Sequence, residues 1–513
     1  MTARPDVAGP EGGVDRRAFL RLGLAGAAVL AVGGGALVTR AAARKRVVVA
    51  GAGLAGLSAA YELHRAGHDV QVLEARRRCG GRVHTLREPF REGQYAEAGA
   101  VYVLDTHAAT LHYARRFGVA LLPSAQTVTS PAYHVGGLLL RGGARGRVRW
   151  PLELPPGERV SSVAELRARY LDPLLDQAGD PRHPNWPDAR ALALDGVSLA
   201  ECLRRRGASS ETLQVLRLEY LEEWGDGAES YSALSLLRDL ALNRASERAW
   251  VIEGGTDRLV AGFVKRLPAV RMGAPVVRVE HDAGGVRVVC RTDAGPQTFD
   301  ADHLVLAIPY SVLRTVEIRP ALSPPKLHVV RTLAHTSVTR IYVQFSSRPW
   351  ERLDLPPSIP TDLPIMLARD ASRVQKGPAG ILEAFVTGPQ ARAAAALPDA
   401  AAADLARREL NRVYPAEGGL PIASVRVAWD GDPWARGDYA WFRPGQLTSM
   451  LPHLAAAEGR LHFAGDQTSA LPGWMQGALE SGVRTAREID PAIRMDLASG
   501  MSAAPAATRS LSR

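Results

Sequence analysis

The chain has 513 residues, of which 46% are hydrophobic and 23% are charged, and its formal net charge is +10 at pH 7. A chain of this length is too long for a single hydrophobic core, so we expect it to fold as at least two lobes. The basic charge comes from 59 arginines and four lysines spread along the chain without dense runs, which argues against nucleic acid as a partner.

The N-terminus resembles an export signal. Residues 15–20 read Asp-Arg-Arg-Ala-Phe-Leu, and seventeen uncharged residues that include five glycines follow at 22–38. The glycines make this stretch weakly hydrophobic, and the alanines at 41–43 suit cleavage, so we predict a twin-arginine signal peptide over 1–43 rather than a membrane anchor. We therefore expect the twin-arginine machinery to export the protein to the periplasm or the cell exterior, with no stable membrane span after cleavage.

The first predicted elements of the remaining chain are a strand, a glycine turn, a helix and a second strand. An apolar run at 47–50 is followed by Gly51, Gly53 and Gly56, and a second strand at 68–74 ends in Glu74. The glycines let the backbone approach a pyrophosphate, and the helix N-terminus attracts that anion. Because a carboxylate such as Glu74 accepts hydrogen bonds from a ribose 2′-hydroxyl, the pattern predicts a site for FAD or NAD rather than NADP.

The predicted secondary structure changes near Trp250, from mainly helices before this residue to mainly strands after it. Residues 106–248 predict a mainly helical region, with helices at 161–177 and 199–206 and a proline-rich loop at 180–187. Further along, strands are predicted at 275–280, 286–291 and 303–308 as a meander beside the nucleotide sheet. A strand at 339–345 and a helix at 400–413 follow.

The last predicted block, at 425–489, contains a strand at 460–464, a helix at 476–488 and several aromatic residues. The strand leads to Gly465 and Asp466, and a glycine precedes the helix beside Trp474. A carboxylate and a helix N-terminus at this point are able to hold a second phosphate or a ribityl chain. Four aromatic residues are candidates for a wall opposite Trp474, although each alone is more typical of core packing: Trp429, Trp434, Tyr439 and Trp441.

Together these motifs resemble the flavin-containing amine oxidase family, which includes monoamine, polyamine and L-amino-acid oxidases. The resemblance covers 46–489 and rests on the glycine fingerprint, its extension from Glu74-Ala75 to Gly80-Gly81-Arg82, and the segments 95–102, 253–259, 301–309 and 463–482. It implies an α/β fold in which a two-lobed, Rossmann-like FAD-binding domain is interleaved with an α+β substrate domain. The FAD-binding parts are expected at 44–125, 250–310 and 425–490, the substrate-domain parts at 126–249 and 311–424, and a disordered tail at 491–513.

The resemblance also assigns residues to the cofactor, which it implies is FAD. These residues are Gly51, Gly53, Gly56, Glu74, Ala75, Gly81, Arg82, Gly99, Ala100, Val277, Gly465, Asp466, Trp474, Met475 and Ala478. Some monoamine oxidases bond the flavin to a cysteine near the C-terminal helix, whereas no cysteine of this chain lies beyond Cys290. We therefore expect noncovalent FAD.

Three residues are predicted to act near the substrate: Trp474, Tyr102 and Arg340. The resemblance implies that Trp474 forms a wall over the substrate. Tyr102 occupies the place of an arginine that clamps the substrate carboxylate in L-amino-acid oxidases, so either another arginine does this or the substrate has no acid group. Arg340 replaces a lysine that holds a water near flavin N5; its fixed charge could stabilise reduced oxygen, or it is an ordinary strand arginine that reaches solvent.

The predicted reaction is oxidation of a C–N bond, in which a neutral amine gives hydride from its α carbon to flavin N5 and the imine hydrolyses. The resemblance implies that dioxygen accepts the electrons and yields hydrogen peroxide, with a dye or quinone as the other acceptor. The C-terminal motif slightly favours an L-amino acid, whereas Tyr102 favours a plain amine. A monoamine or polyamine oxidase, a desaturase-like flavoprotein and a noncatalytic flavin-binding protein stay open, as does a homodimer.

Overall fold

The computed structural model describes residues 44–124, 130–415 and 419–494. The predicted signal peptide at 1–43 and most of the predicted tail, 495–513, lie outside these ranges. Within them, no helix is both long and apolar enough to span a bilayer.

Strands and helices alternate irregularly along the described chain. The strands are β1 Arg46–Ala50, β2 Asp69–Leu73, β3 Thr85–Leu86, β4 Ala96–Glu97, β5 Tyr102–Leu104, β6 Leu121–Pro123, β7 Ala132–Val135, β8 Leu138–Arg141, β9 Val148–Arg149, β10 Val160–Ser161, β11 Ala249–Ile252, β12 Val276–His281, β13 Val286–Thr292, β14 Gly295–Ala301, β15 His303–Leu306, β16 Glu317–Arg319, β17 Ala334–His335, β18 Val338–Phe345, β19 Ser358–Pro360, β20 Leu367–Asp370, β21 Gly380–Thr387, β22 Pro421–Ala428, β23 Ala440–Trp441 and β24 Leu461–Phe463. The α-helices are α1 Leu54–Arg65, α2 Ala108–Phe117, α3 Val163–Tyr170, α4 Asp172–Ala178, α5 Ala189–Asp195, α6 Leu199–Arg205, α7 Ser210–Glu219, α8 Ala233–Asn243, α9 Asp257–Val264, α10 Tyr310–Leu313, α11 Pro324–Thr332, α12 Gly388–Ala396, α13 Asp399–Val413, α14 Gln446–Leu454 and α15 Met475–Ile489.

A four-stranded parallel sheet in the order β2-β1-β15-β24 contains the strands predicted from sequence at the nucleotide site, and we call it the nucleotide layer. Its central strand β1 is buried from its second residue onwards, as expected for a strand covered on both faces. The register pairs Val48 with Leu304 of β15 and Val305 with His462 of β24. The strands of this sheet therefore come from three separated parts of the chain.

A second layer is a five-stranded sheet in the order β19-β20-β21-β18-β22. Its strands pair antiparallel, and every residue of β18 and β21 is buried. Helix α13 packs across β18, β21 and β22. A further sheet in the order β14-β13-β12-β16 stands beside the nucleotide layer, so the protein has the mixed α/β architecture expected from its sequence.

The region predicted to be mainly helical, 106–248, also contains strands. Five short strands, β6 to β10, lie between residues 121 and 161. They have two to four residues each, which is too short to show a two-residue periodicity against the surrounding sequence. The predicted helix at 161–177 is two helices, because Pro173 stands in the first turn of α4 and cannot continue α3.

The sheet beside the nucleotide layer differs from the predicted meander. The strand predicted at 303–308 is β15, which lies in the nucleotide layer itself, and β12 and β13 pair instead with β16 and β14, two strands that were not predicted. Strand β14 covers Gly295–Ala301. Its residues alternate between buried or half-buried and exposed positions, and they include glycine, proline and aspartate, which are depleted in strands. Pairing with β13 along its whole length overrides these local preferences.

Candidate cofactor cavity and substrate site

A cleft that encloses about 1150 Å³ of empty space, open solvent included, lies at the carboxyl ends of the parallel sheet. Gly51, Glu74, Ala307 and Gly465 follow β1, β2, β15 and β24 respectively, and all four line it. Ligands of open α/β sheets bind at this edge of the strands. The residues assigned to the cofactor from sequence that line the cleft are Gly51, Gly53, Glu74, Ala75, Gly81, Arg82, Ala100, Gly465, Asp466, Trp474, Met475 and Ala478.

Two glycines of the β1–α1 segment, Gly51 and Gly56, have no room for a side chain. A Cβ atom on Gly51 would lie 2.5 Å from the Ala307 carbonyl oxygen, and the φ of Gly51 is +107°. A Cβ atom on Gly56 would lie 1.9 Å from the Gly51 carbonyl oxygen, so Gly56 supports the turn from behind rather than lining the cleft. No side chain caps α1 at Gly53, which leaves the first amide groups of the helix available to an anion.

Glu74 is buried at the end of β2 and fixes the same turn. Its carboxylate accepts hydrogen bonds from the amides of Ala52 and Arg76, both at 2.8 Å. The side chain lines the cleft, where a ribose hydroxyl would meet it. On the neighbouring sheet, Val276 lines the cleft and Val277 does not, since successive residues of a strand point to opposite faces.

A second helix N-terminus meets the cleft at its other end. No side chain caps α15 at Trp474, and Trp474, Met475 and Ala478 line the cleft. Asp466 forms an ion pair with Arg82 and accepts a hydrogen bond of 2.8 Å from the Gly473 amide. Both ends of the cleft therefore present the positive end of a helix, an arrangement that fits an elongated ligand with a pyrophosphate and a second electron-rich group.

The aromatic residues near Trp474 have separate roles. Trp434 lines the cleft. Tyr439 lies against Gly473, where a Cβ atom would be 3.0 Å from the Tyr439 Cβ, and its hydroxyl donates a hydrogen bond to the Glu222 carbonyl. Trp429 is buried and donates to the Ala98 carbonyl at 2.9 Å, while Trp441 stacks on Tyr231 with ring centroids 4.5 Å apart. Tyr439 therefore lies next to the entry of α15, against the residue that precedes Trp474.

The segment that contains Gly99 and Tyr102 runs along the cleft without lining it at those two residues. A Cβ atom on Gly99 would lie 1.7 Å from the Arg82 carbonyl oxygen, so Gly99 lets this segment press against Arg82. Burial raises the pKa of Tyr102 to about 12, which keeps its phenol protonated at neutral pH. The guanidinium carbon of Arg369 lies 5.5 Å from the centroid of the Tyr102 ring.

Arg340 is buried and does not reach solvent as an ordinary strand arginine would. Its Nη1 donates to the Glu97 carbonyl and to Glu383 Oε1, each at 3.2 Å, and its guanidinium lies over Phe385. Burial opposes its charge, but the nearby Glu383 carboxylate helps hold the pKa of Arg340 above its ordinary value. Arg340 is not among the residues that line the cleft, and Glu97 connects it to the segment beside Arg82 and Ala100.

A charged cluster beside Tyr102 and Tyr439 was not predicted from the sequence. Arg369 pairs with Glu222 and Glu383, and Glu223 lies near Glu222. Burial and the neighbouring Glu222 raise the pKa of Glu223 to about 8. Burial also raises the pKa of Asp239 to about 6, against the opposing effect of Arg238. The signal available in the sequence was a charged pair, Arg369 and Asp370, directly after two apolar residues in a strand, β20, whose residues are all buried.

Comparison with known proteins agrees with this geometry. Residues 54–490 match the family described as flavin containing amine oxidoreductase. The L-amino-acid oxidase of Naja atra is 29% identical over 460 residues, which cover 87% of this chain and 88% of that protein. The L-amino-acid oxidase of Vipera ammodytes ammodytes is 29% identical over 459 residues, which cover 87% of this chain and 93% of that protein.

Solved structures show the same fold. Wild-type putrescine oxidase bound to putrescine superposes with a TM-score of 0.75 at 22% identity, over 87% of this chain and 99% of that one. Cyclohexylamine oxidase from Brevibacterium oxydans IH-35A gives a TM-score of 0.74 at 22% identity, over 87% of this chain and 100% of that one.

Proposed function

The chain belongs to the flavin-containing amine oxidoreductase family, and on this premise we propose that it oxidises the C–N bond of an L-amino acid with FAD and dioxygen. The cleft between the N-termini of α1 and α15, with Trp474 and Tyr439 at one end, is the observation that carries this proposal. The named L-amino-acid oxidases among its relatives support the substrate class.

The residues of the cleft fit the cofactor at both ends. Gly51 and Gly53 would hold the pyrophosphate at the N-terminus of α1, and Glu74 would hold the ribose hydroxyls. When bound, FAD would supply the acceptor for a hydride from the substrate α carbon and a route for the electrons to dioxygen, with hydrogen peroxide as the product. The N-terminus of α15 supplies positive potential at the other end, where Arg82 and Asp466 fix the neighbouring backbone.

At the substrate we propose that aromatic side chains shape the site and that no side chain acts as a general base. Trp474 and Tyr439 exclude water beside the helix entry, which strengthens the electrostatic interactions of a bound substrate. In the part of the chain that the structure describes, no histidine or lysine lines the cleft, and two of its three carboxyl groups, Glu74 and Asp466, are engaged by backbone amides and Arg82. Burial raises the pKa of the third, Asp438. We therefore propose that the substrate amine enters in its neutral form and that its α carbon is oxidised without a dedicated side-chain base.

We propose that FAD is held noncovalently. Cys79, Cys202 and Cys290 are free thiols, and none of them lines the cleft. Burial raises the pKa values of Cys79 and Cys290 to about 11, so neither is a thiolate at neutral pH. Acid precipitation of the yellow protein should leave FAD in the supernatant; flavin that stays with the precipitate would contradict noncovalent binding.

A plain amine or diamine is the second candidate substrate. Glu222 and Asp239 place carboxylates near Tyr439 and Tyr231, and carboxylates attract a cationic amine. Tyr102, which occupies the place of an arginine, also favours a plain amine substrate, because a phenol does not neutralise a substrate carboxylate.

A peroxide assay on FAD-loaded protein tests these proposals. Peroxide from L-leucine or L-phenylalanine is the expected result. Peroxide only from tyramine or putrescine would assign the second substrate class instead. A yellow protein that oxidises none of these compounds would contradict amine oxidation and would favour a desaturase-like or noncatalytic flavoprotein.

A further inference from the structure

The charged cluster beside Tyr102 contains an arginine whose contacts suit a carboxylate ligand. We propose that Arg369 binds the α-carboxylate of the L-amino acid substrate, and that Glu222 occupies this position when no substrate is bound. This inference rests on the proposed function, because it assigns the acid group of the substrate to a residue of the same site. Arg369 belongs to β20 and lies over the Tyr102 ring. The segment 95–102 itself has Tyr102 at the place where L-amino-acid oxidases have their arginine.

The guanidinium of Arg369 contacts two carboxylates, one of which is buried whereas the other is partly exposed and able to move away. Its Nη1 donates to Glu383 Oε2 at 3.2 Å, and the Glu383 side chain is 2% exposed. Its Nη2 donates to Glu222 Oε2 at 2.8 Å, and the Glu222 side chain is 38% exposed. The Nε atom has no hydrogen-bond partner. Because Nε and Nη2 form one edge of a guanidinium, a carboxylate that replaces Glu222 gains two parallel hydrogen bonds.

The charges of the cluster balance only when this edge is occupied. Arg340 and Arg369 share the carboxylate of Glu383, so the three side chains together carry one positive charge. A buried charge without a partner is strongly unfavourable, and either Glu222 or a substrate carboxylate can provide the partner. Glu223 does not compete, since burial raises its pKa to about 8 and leaves it mostly protonated at neutral pH. Asp239 is already paired with Arg238.

A chain of contacts through Glu222 and Tyr439 links Arg369 to the aromatic end of the cleft. The carbonyl of its partner Glu222 accepts the hydrogen bond of the Tyr439 hydroxyl. Tyr439 packs against Gly473, the residue before Trp474, which lines the cleft. Tyr102 follows the cleft-lining residue Ala100 by two positions. A substrate held between these aromatic residues would therefore have its carboxylate directed towards Tyr102 and Arg369.

Benzoate is a suitable probe because it has a carboxylate and no oxidisable C–N bond. Its binding can be followed through the visible absorbance of the flavin in the FAD-loaded protein. Arg369→Gln is expected to raise the Kd for benzoate about 10- to 100-fold, since a charge-assisted pair is lost. Glu222→Gln is expected to lower that Kd several-fold, because the competing carboxylate is removed. Arg348→Gln is the matched control: this buried arginine of the same lobe bonds to Ala379 and Ser372 and should leave the Kd unchanged.

Kinetics separate substrate recognition from a structural role. Arg369→Gln should reduce kcat/KM for L-phenylalanine to the same extent as benzoate binding and leave kcat/KM for 2-phenylethylamine within about threefold of wild type. An equal loss of kcat/KM for L-phenylalanine and 2-phenylethylamine in Arg369→Gln would overturn the proposal. So would a benzoate Kd that is unchanged in both Arg369→Gln and Glu222→Gln. If Arg369→Gln fails to retain flavin, Glu222→Gln and Arg369→Lys decide the question, since both keep a positive charge at residue 369.

The wild-type protein distinguishes this inference from the function on which it rests. Oxidation of 2-phenylethylamine without oxidation of L-phenylalanine, together with no benzoate binding, would overturn the role of Arg369 and leave C–N oxidation intact. A flavin-loaded wild-type protein that oxidises neither compound nor any other amine would overturn the proposed function itself.

Discussion

Arg340 is fixed by a carbonyl and a carboxylate in a position where its charge cannot be lost. Its contacts with Glu97 and Glu383 hold it behind the segment that runs along the cleft. A fixed positive charge lowers the energy of negative charge that develops on oxygen nearby. We predict that Arg340→Met slows reoxidation of the reduced protein by dioxygen about tenfold, measured by stopped-flow absorbance.

The rate of flavin reduction by substrate, measured in the same instrument, is the control for this variant. Arg340→Lys keeps the charge and should reoxidise at a rate closer to wild type. An unchanged reoxidation rate in Arg340→Met would remove Arg340 from oxygen chemistry and leave it as a support for Glu383 and Glu97.

Glu223 makes the stability of the protein depend on pH. Burial and Glu222 raise its pKa to about 8 in the folded protein, whereas an unfolded glutamate titrates near 4.5. Between these values the folded state binds more protons than the unfolded state, so stability falls as pH rises, by at most about 1.4 kcal/mol per pH unit. Below pH 4.5 both states are protonated and the dependence vanishes.

We predict that Glu223→Gln removes this dependence. Its melting temperature should exceed that of wild type at pH 8 and approach it at pH 5, measured by thermal unfolding across that range. Glu229→Gln, at an exposed residue of the same segment, should follow the wild-type curve because an exposed ion pair contributes little. A parallel shift of Glu223→Gln at both pH values would contradict a raised pKa.

At the scale of elements, α1 and α15 hold the two ends of the cofactor cleft and pack directly on each other. A Cβ atom on Gly482 of α15 would lie 2.0 Å from Ser58 Oγ and 2.2 Å from the Ala55 carbonyl oxygen. Ser58 donates to the Leu479 carbonyl at 3.2 Å across the same contact. The distance between the two helix N-termini therefore depends on a glycine that neither end of the ligand touches.

We predict that Gly482→Ala destabilises the protein by about 1–3 kcal/mol and weakens FAD retention, because the overlap is with backbone and forces the helices apart. Unfolding midpoints and FAD released on gel filtration would measure both effects. Gly196→Ala is the control, since a Cβ atom there meets nothing within 4 Å. Full FAD retention in Gly482→Ala would show that the helix contact does not set the cleft.

The elements that sequence predicted well are those specified by neighbouring residues. The β1–α1–β2 unit follows from one apolar run, three glycines and Glu74, and all of these signals lie within thirty residues. The strands between residues 121 and 161 gave no comparable signal, because each has only two to four residues and some of them also contact distant parts of the chain. For example, β6 pairs with β11, and β7 lies beside Thr361.

At the scale of the whole molecule, the candidate site joins residues that the sequence separates widely. Tyr102 could be assigned from a motif, but nothing near it in sequence indicated that Arg369 lies over its ring. The position of Arg369 beside Glu383 depends on the register of the antiparallel sheet, in which Leu367 pairs with Phe385 and Arg369 with Glu383. The cofactor residues were predictable because each lies in a local motif, whereas the charged cluster is created by sheet pairing.

At the same scale, we propose that the segment at 15–21, Asp-Arg-Arg-Ala-Phe-Leu-Arg, directs export of the whole chain with its cofactor. The twin-arginine route carries folded proteins, so FAD would bind before export, while α1 and α15 enclose it. We predict that Arg16→Lys combined with Arg17→Lys retains yellow, folded protein in the cytoplasm, measured by flavin and peroxide activity in separated cell fractions. Arg21→Lys leaves the arginine pair intact and should be exported like wild type. Equal export of the double variant would mean that the arginine pair is not the signal, and exported protein without flavin would contradict cofactor binding before transport.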